Sequence, residues 1–206
     1  MKIDFVSDVV CPWCAIGLGA LELALARLDG TVDAEIRFQP FELNPGMPPE
    51  GEDIVEHLTR KYGLAPADVA RNAEAIRRRG ESVGFVFGRR RRTYNTFDAH
   101  RLLHWADIEG HQRALKHALL KAYFTDGEDP SDRDVLVRVA GEAGLDPSEA
   151  RAVLDADRYA AEVRKRERFY RDLGIAAVPS VIVDDRHLIQ GGQPVEEFER
   201  VLRRLA

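Results

Sequence analysis

A chain of 206 residues with net charge −5, 45% hydrophobic and 32% charged, holds enough apolar material for one core and has no global pull toward nucleic acid or acidic membranes. No apolar run approaches the roughly 20 residues that cross a bilayer. The only cysteines, Cys11 and Cys14, are too few and too close together for a disulfide-stapled secreted domain, and they lack the further ligands of a four-coordinate zinc site.

From Met1-Lys2 the chain enters a short strand-like segment over residues 2–7. Asp4 and Asp8 interrupt the stretch where a secretion signal needs unbroken apolar residues, so a cytoplasmic location is expected. Val9-Val10 lead into Cys11-Pro12-Trp13-Cys14, with Pro12 suited to a first helical position. Leu18, Leu21, Leu25 and Leu28 then recur at helical spacing until Asp29-Gly30. Ala34 to Gln39 alternates as a second strand. Strand, helix, strand is a βαβ unit with a right-handed crossover.

A Pro/Gly-rich connection, Phe41 to Pro49, opens a block that reads as helical almost throughout. Helices are expected from about Asp53 to Tyr62, from Pro66 to Arg79, from Phe97 to Glu109 and from Gln112 to Phe124. Further ones follow Ser131-Asp132 and Pro147, and a long charge-rich one spans Tyr159 to Leu173. Strand character returns at Val178 to Val183, turns at Asp184-Asp185 and continues through His187 to Ile189. Pro194 opens a last amphipathic helix with Val195, Phe198, Val201 and Leu202 on one face. The expected architecture is α/β, with an all-helical insertion at 49–169 between the βαβ half, 1–48, and the ββα half, 170–206.

Two cysteines three apart at the mouth of a helix can close and reopen a small disulfide. Cys11 falls at the expected N-cap, where free backbone N–H groups and the helix dipole favour a sulfur anion. The thiolate is the nucleophile in disulfide exchange, so Cys11 is the candidate attacking group. Cys14, one turn inside, is the candidate resolving thiol, with Pro12 and Trp13 flanking the substrate. The plain alternative is a static disulfide. A proline at the head of a β-rich run, Val178-Pro179, fits either a cis bond in a tight turn or a trans proline starting an edge strand. Beside the cysteines, the Val178 backbone would hold an extended substrate.

Cys-Pro-Trp-Cys after a strand, Phe-Glu-Leu-Asn-Pro at 41–45 and Val-Pro-Ser-Val-Ile-Val at 178–183 together resemble the DsbA-like thioredoxin-fold oxidoreductases. Asn95-Thr96 followed by Ala99-His100-Arg101-Leu102 resembles their FrnE-like branch. The resemblance covers essentially the whole chain. It implies a thioredoxin fold with a helical insertion, a nucleophilic Cys11, a resolving Cys14 and a cis Pro179. The expected activity is thiol–disulfide exchange with protein or small-molecule thiols and disulfides, with glutathione as a candidate redox partner; no tightly bound cofactor or metal is implied.

The same superfamily holds kappa-class glutathione transferases and hydroxychromene-carboxylate isomerases. Those usually carry serine where this chain has Cys11, and Gln190 to Pro194 departs from their stretch before the last helix. A non-catalytic interaction or chaperone module is the reading from another class.

Lesser signals are weaker. His100 and His104 share a helix face without an evident third metal ligand. His100 reads either as a packed histidine or as one lining the cleft opposite Cys11. Arg77-Arg78-Arg79 and Arg89 to Arg92 read as solvated loop and helix end, or as a rim attracting an anionic substrate. Aromatic interleaving is too thin for nucleic acid. The charges from Glu162 to Arg171 read as a solvated helix face, and Trp105, Phe124 and Phe198 as core. Oligomeric state has no sequence signal.

Overall fold

The computed structural model describes the chain from Met1 to Ala206. Strand β1 (Lys2–Ser7) is buried from Ile3 onward and sits inside a four-stranded sheet. It pairs in parallel with β2 (Glu35–Pro40), Phe5 opposite Phe38, and antiparallel with β5 (Ser180–Val183), Phe5 opposite Val181. Strand β6 (His187–Gln190) adds to β5, giving the order β2-β1-β5-β6. Side chains alternate across a strand. Ile3 and Phe5 accordingly enter the main core, while Val6 packs on the other face with Phe41, Tyr170 and Ile175. The β5–β6 turn puts Asp184 and Asp185 at φ of 48° and 56°, and Asp184 Oδ1 accepts from the Lys2 amide at 2.7 Å.

Helix α1 (Pro12–Arg27) makes the crossover from β1 to β2 and packs against the last helix, α9 (Val195–Leu205). It begins at Pro12, four residues before the apolar periodicity becomes visible. It carries glycine where neighbours press closest. A Cβ on Gly17 would stand 3.1 Å from Pro179 Cγ, and one on Gly19 would stand 3.0 Å from Val83.

Between the two halves of the sheet lie α2 (Ile54–Tyr62), α3 (Pro66–Glu81), α4 (Phe97–Ile108), α5 (Gln112–Phe124), α6 (Arg133–Glu142), α7 (Pro147–Asp155) and α8 (Ala160–Asp172). Three of them open on an aspartate whose side chain takes the first free amides: Asp53, Asp132 and Asp146. The block is not helical throughout. Strands β3 (Glu52–Asp53) and β4 (Arg92–Thr93) pair antiparallel and close the base of the α2–α3 arm. Two-residue strands are too short to show any period in the sequence. The expected boundary between 169 and 170 falls inside α8, whose Tyr170 packs on Val6 in the sheet.

One apolar core runs without a break from Ile3 and Phe5 through Leu102, Leu119 and Leu154 to Phe198, so α4–α7 share the core of the sheet. Trp105, Phe124 and Phe198 are buried in it. The Gln112 side chain, at the start of α5, accepts from the Phe38 amide at 2.8 Å and donates to the Phe38 carbonyl at 3.0 Å. It stands in for a further strand at the edge of β2. Arg101 is buried and donates to the carbonyls of Leu154 and Arg158, joining α4 to the C-terminal end of α7, where positive charge is favoured.

Candidate active site

The β1–α1 turn places the cysteines. Cys11 is the N-cap of α1, with φ −91° and ψ 112°. Its carbonyl accepts from the amides of Cys14 at 3.0 Å and Ala15 at 3.4 Å, and its own amide donates to the Asp8 carbonyl at 3.3 Å. Both thiols are free. Cys11 keeps 4% of its surface exposed and Cys14 none, so of the two sulfurs Cys11 is the nearer to solvent. Burial, and then the neighbouring Cys11 sulfur, push the Cys14 thiol well above its usual range.

Opposite the turn, the Val178–Pro179 peptide bond is cis. The Cys11 sulfur lies 3.6 Å from the Val178 carbonyl oxygen. The Pro179 carbonyl accepts from the Gly191 amide at 2.8 Å, which ties this loop to the far end of β6.

Cys11 opens into a groove of about 560 Å³, in the size range of small-molecule sites. Trp13 and Val178 form its walls on the sheet side, and Ile54, Leu58 and Ile76 of the α2–α3 arm face them. Trp13 is 41% exposed at the rim. The lining is mostly apolar, and Arg90 brings a cation into it. The Arg90 guanidinium stacks 4.8 Å from the Phe124 ring centre and donates to the Tyr123 hydroxyl at 3.2 Å. No carboxylate pairs with it, whereas Arg78 lies 4.0 Å from the Glu74 carboxylate. Arg77 is bound to Glu74 and Glu81, Arg79 donates to the Gly192 carbonyl, and Arg92 donates to the carbonyls of Glu50 and Gly51.

Beneath the turn the chemistry reverses. Asp8 is fully buried. Its carboxylate accepts from the Leu43 amide at 2.7 Å and the Val10 amide at 3.5 Å, and His100 Nε2 stands 3.5 Å away. Burial alone would raise the Asp8 carboxyl, but the neighbouring His100 imidazole, the Leu43 amide and Thr96 outweigh it and hold the group below its usual range. His100 therefore does not line the cleft in front of Cys11. It is 2% exposed and turned under the turn, because Asp8 is the only acid within ion-pair reach of it. His104 stacks on Tyr159 instead, at 5.2 Å between ring centres. No cluster of three His, Cys, Asp or Glu residues that could hold a metal is present.

Lys116 of α5 is also fully buried, and its Nζ has no hydrogen-bond partner in the protein. Asp8 and Lys116 carry no site motif in the sequence, and Arg90 is marked there only as part of the Arg89 to Arg92 run. One signal for Lys116 was available: it stands on the stripe 112, 115, 116, 119, 120, 123, otherwise buried face of an amphipathic helix.

The model of the DSBA-like thioredoxin domain family matches residues 2–203. Among solved structures, a probable DsbA oxidoreductase of Streptomyces coelicolor is 35% identical with a TM-score of 0.93, over 99% of this chain and 89% of that one. The cytosolic disulfide reductase DsbM of Pseudomonas aeruginosa, solved with GSH, is 19% identical with a TM-score of 0.68, over 100% and 98%. A hydroxychromene-carboxylate isomerase is 17% identical with a TM-score of 0.72, over 100% and 96%. The last two likenesses concern the fold.

Proposed function

The chain belongs to the DSBA-like thioredoxin domain family, and from that premise we propose that it is a dithiol–disulfide oxidoreductase of the FrnE-like branch, working in the cytoplasm. The observation that carries the reading is the asymmetry of the pair: the Cys11 sulfur meets the groove beside the Val178 carbonyl, while Cys14 is sealed directly behind it. No helix is long and apolar enough to cross a membrane.

In this reading the Cys11 thiolate attacks a substrate disulfide, forming a Cys11–substrate disulfide and expelling the other half as a thiolate. Cys14 then attacks Cys11, closes the Cys11–Cys14 disulfide and releases the rest of the substrate as a thiol. The reverse sequence oxidises a substrate dithiol, and the reduction potential of the pair sets which direction runs in the cell. Pro12, Trp13, Val178 and Pro179 bound the space where the substrate sulfur must sit.

The substrate class is thiols and disulfides, on proteins or small molecules. Arg90, a cation without a carboxylate partner in an apolar groove, supports an anionic thiol such as glutathione as the small redox partner. DsbM, solved with GSH, agrees with that choice. The family's isomerase and transferase alternatives are less well served, since both cysteines are present and placed for exchange.

Insulin reduction, with Cys11→Ser and Cys14→Ala as variants, tests the reading. Turnover should vanish in Cys11→Ser, and Cys14→Ala should trap a mixed disulfide visible by mass. Substrate retained by both variants, with no turnover by the unaltered protein, would point to a binding module instead.

A further inference from the structure

Glu52 and His57 take no part in the thiol chemistry, yet they stand at one end of the groove. The short β3–β4 ladder assembles that end. Glu52 lies opposite Thr93, and the Ile54 amide donates to the Arg91 carbonyl at 2.9 Å. Asp53 caps α2 by accepting from the amides of Val55 and Glu56, which fixes the turn of helix that carries His57. His57, Thr93 and Arg90 all line the groove. Tyr123 joins Arg90 to the ladder: its hydroxyl accepts from Arg90 at 3.2 Å and donates to the Arg92 carbonyl at 3.0 Å.

His57 is 6% exposed, and its two ring nitrogens have different surroundings. Nδ1 meets the Glu52 carboxylate at 2.7 Å, and the Arg60 guanidinium binds the same carboxylate. These two partners hold the Glu52 carboxyl below its usual range, so an anion accepts from Nδ1–H. A carboxylate behind one ring nitrogen sets the tautomer and the orientation of the other. Nε2 has no partner in the protein and is not sealed from solvent. Glu52, Arg60 and Lys61 flank a separate hollow behind His57 and do not line the groove, so Nε2 is the nitrogen left to the groove.

We propose, resting on the oxidoreductase reading, that His57 selects for acidity in the substrate: braced by Glu52 at Nδ1, it donates from Nε2 to a carboxylate of the bound thiol or disulfide, at the end of the groove where Arg90 stands, and does so only while its ring is protonated. The protonated ring forms a charge-assisted hydrogen bond. The neutral ring has no proton at Nε2, because Glu52 keeps the remaining one at Nδ1, and its lone pair repels a carboxylate. His57 acts on binding and leaves the sulfur exchange alone, which makes it a specificity-determining residue. The charged and titratable groups around it are Glu52 from β3, Arg60, Lys61 and Tyr62 from its own helix, Arg90 from the segment before β4, and Cys11 from the β1–α1 turn. It is the one histidine in the lining of the groove.

Calorimetric titration with two probes tests this: dithiodibenzoate, an aromatic disulfide with a carboxylate at each end, and its uncharged diamide of equal size. Cys11→Ser is the host, because serine neither exchanges with the probes nor changes charge in the range used. In that host, affinity for dithiodibenzoate should fall about tenfold between about pH 6 and about pH 8, where histidine loses its charge. The diamide should bind equally at both. With His57→Gln added, affinity for dithiodibenzoate should stay at the weaker value throughout, and the diamide should be unaffected. With Arg90→Met added instead, affinity for dithiodibenzoate should fall at both pH values and keep its pH dependence.

An affinity for dithiodibenzoate that does not change with pH overturns the inference, and needs no further variant to fold. A pH dependence that survives His57→Gln overturns it as well. So does an equal loss of diamide binding in that variant, which marks His57 as a brace for the α2–α3 arm only. Failure of both probes to bind overturns it while leaving the oxidoreductase reading in place, since that reading stands or falls on insulin turnover by the unaltered protein.

Discussion

The two sides of the cysteine turn are built from opposite materials. The outer side is an apolar groove open to solvent, with one cation on its wall and a tryptophan at its rim. The inner side is closed and polar: Asp8, His100 and Lys116 are all buried, His100 beside Asp8 and in one small cavity with Lys116. Charges in the interior are costly unless paired or hydrogen-bonded, whereas the groove places no such demand. The contrast separates the tasks of the turn. In the proposed reaction, substrate sulfur would be exchanged on the side where apolar contact and access help, while the buried side fixes the backbone geometry of the turn where charges act strongly.

The largest expected effect breaks the outer side: Cys11→Ser should reduce insulin turnover to the uncatalysed background, while the folded protein keeps its melting temperature. On the inner side, Asp8→Ala leaves the Leu43 amide and His100 without their partner and should cost about 3 kcal/mol in chemical denaturation. A gentler change gives a pH test. Because the Asp8 carboxyl is held below its usual 3.8, its stabilising contribution is present above that value and is lost as pH falls through the lower, folded one. Asp8→Asn should therefore flatten the acid limb of the melting-temperature profile below pH 3.8.

Arg90→Met sharpens the view of the groove. It should lower kcat/KM for an anionic disulfide by about tenfold, the loss of one charge-assisted hydrogen bond, and leave a neutral disulfide of equal size unaffected. The smallest effect calibrates the others. Asp146→Ala removes the cap of α7, far from the turn, and should cost about 1 kcal/mol with exchange rates unchanged.

Much of the fold was legible because its signals are local. Pro12 marks a helix start, Asp132 and Asp146 mark caps, and leucines at helical spacing mark the face of α1. The cysteine turn was legible for the same reason. His100 was not: nothing within α4 says which way a histidine will face once Asp8, far away in the chain, becomes its neighbour. Arg90 looked like one of four equivalent arginines, and only the approach of Tyr123 and Phe124 distinguishes it. The short β3–β4 pair is likewise a product of chain closure, invisible to any periodicity.

The bare α-carbon of Gly17 leaves only a narrow clearance between helix α1 and the Pro179 ring. The distance from the reacting sulfur to the loop across from it is thus gauged by an omitted methyl group. Selection acting on that single position could retune how a guest's backbone is gripped without altering either cysteine, so the reach of the site is adjustable from a residue that never meets the guest.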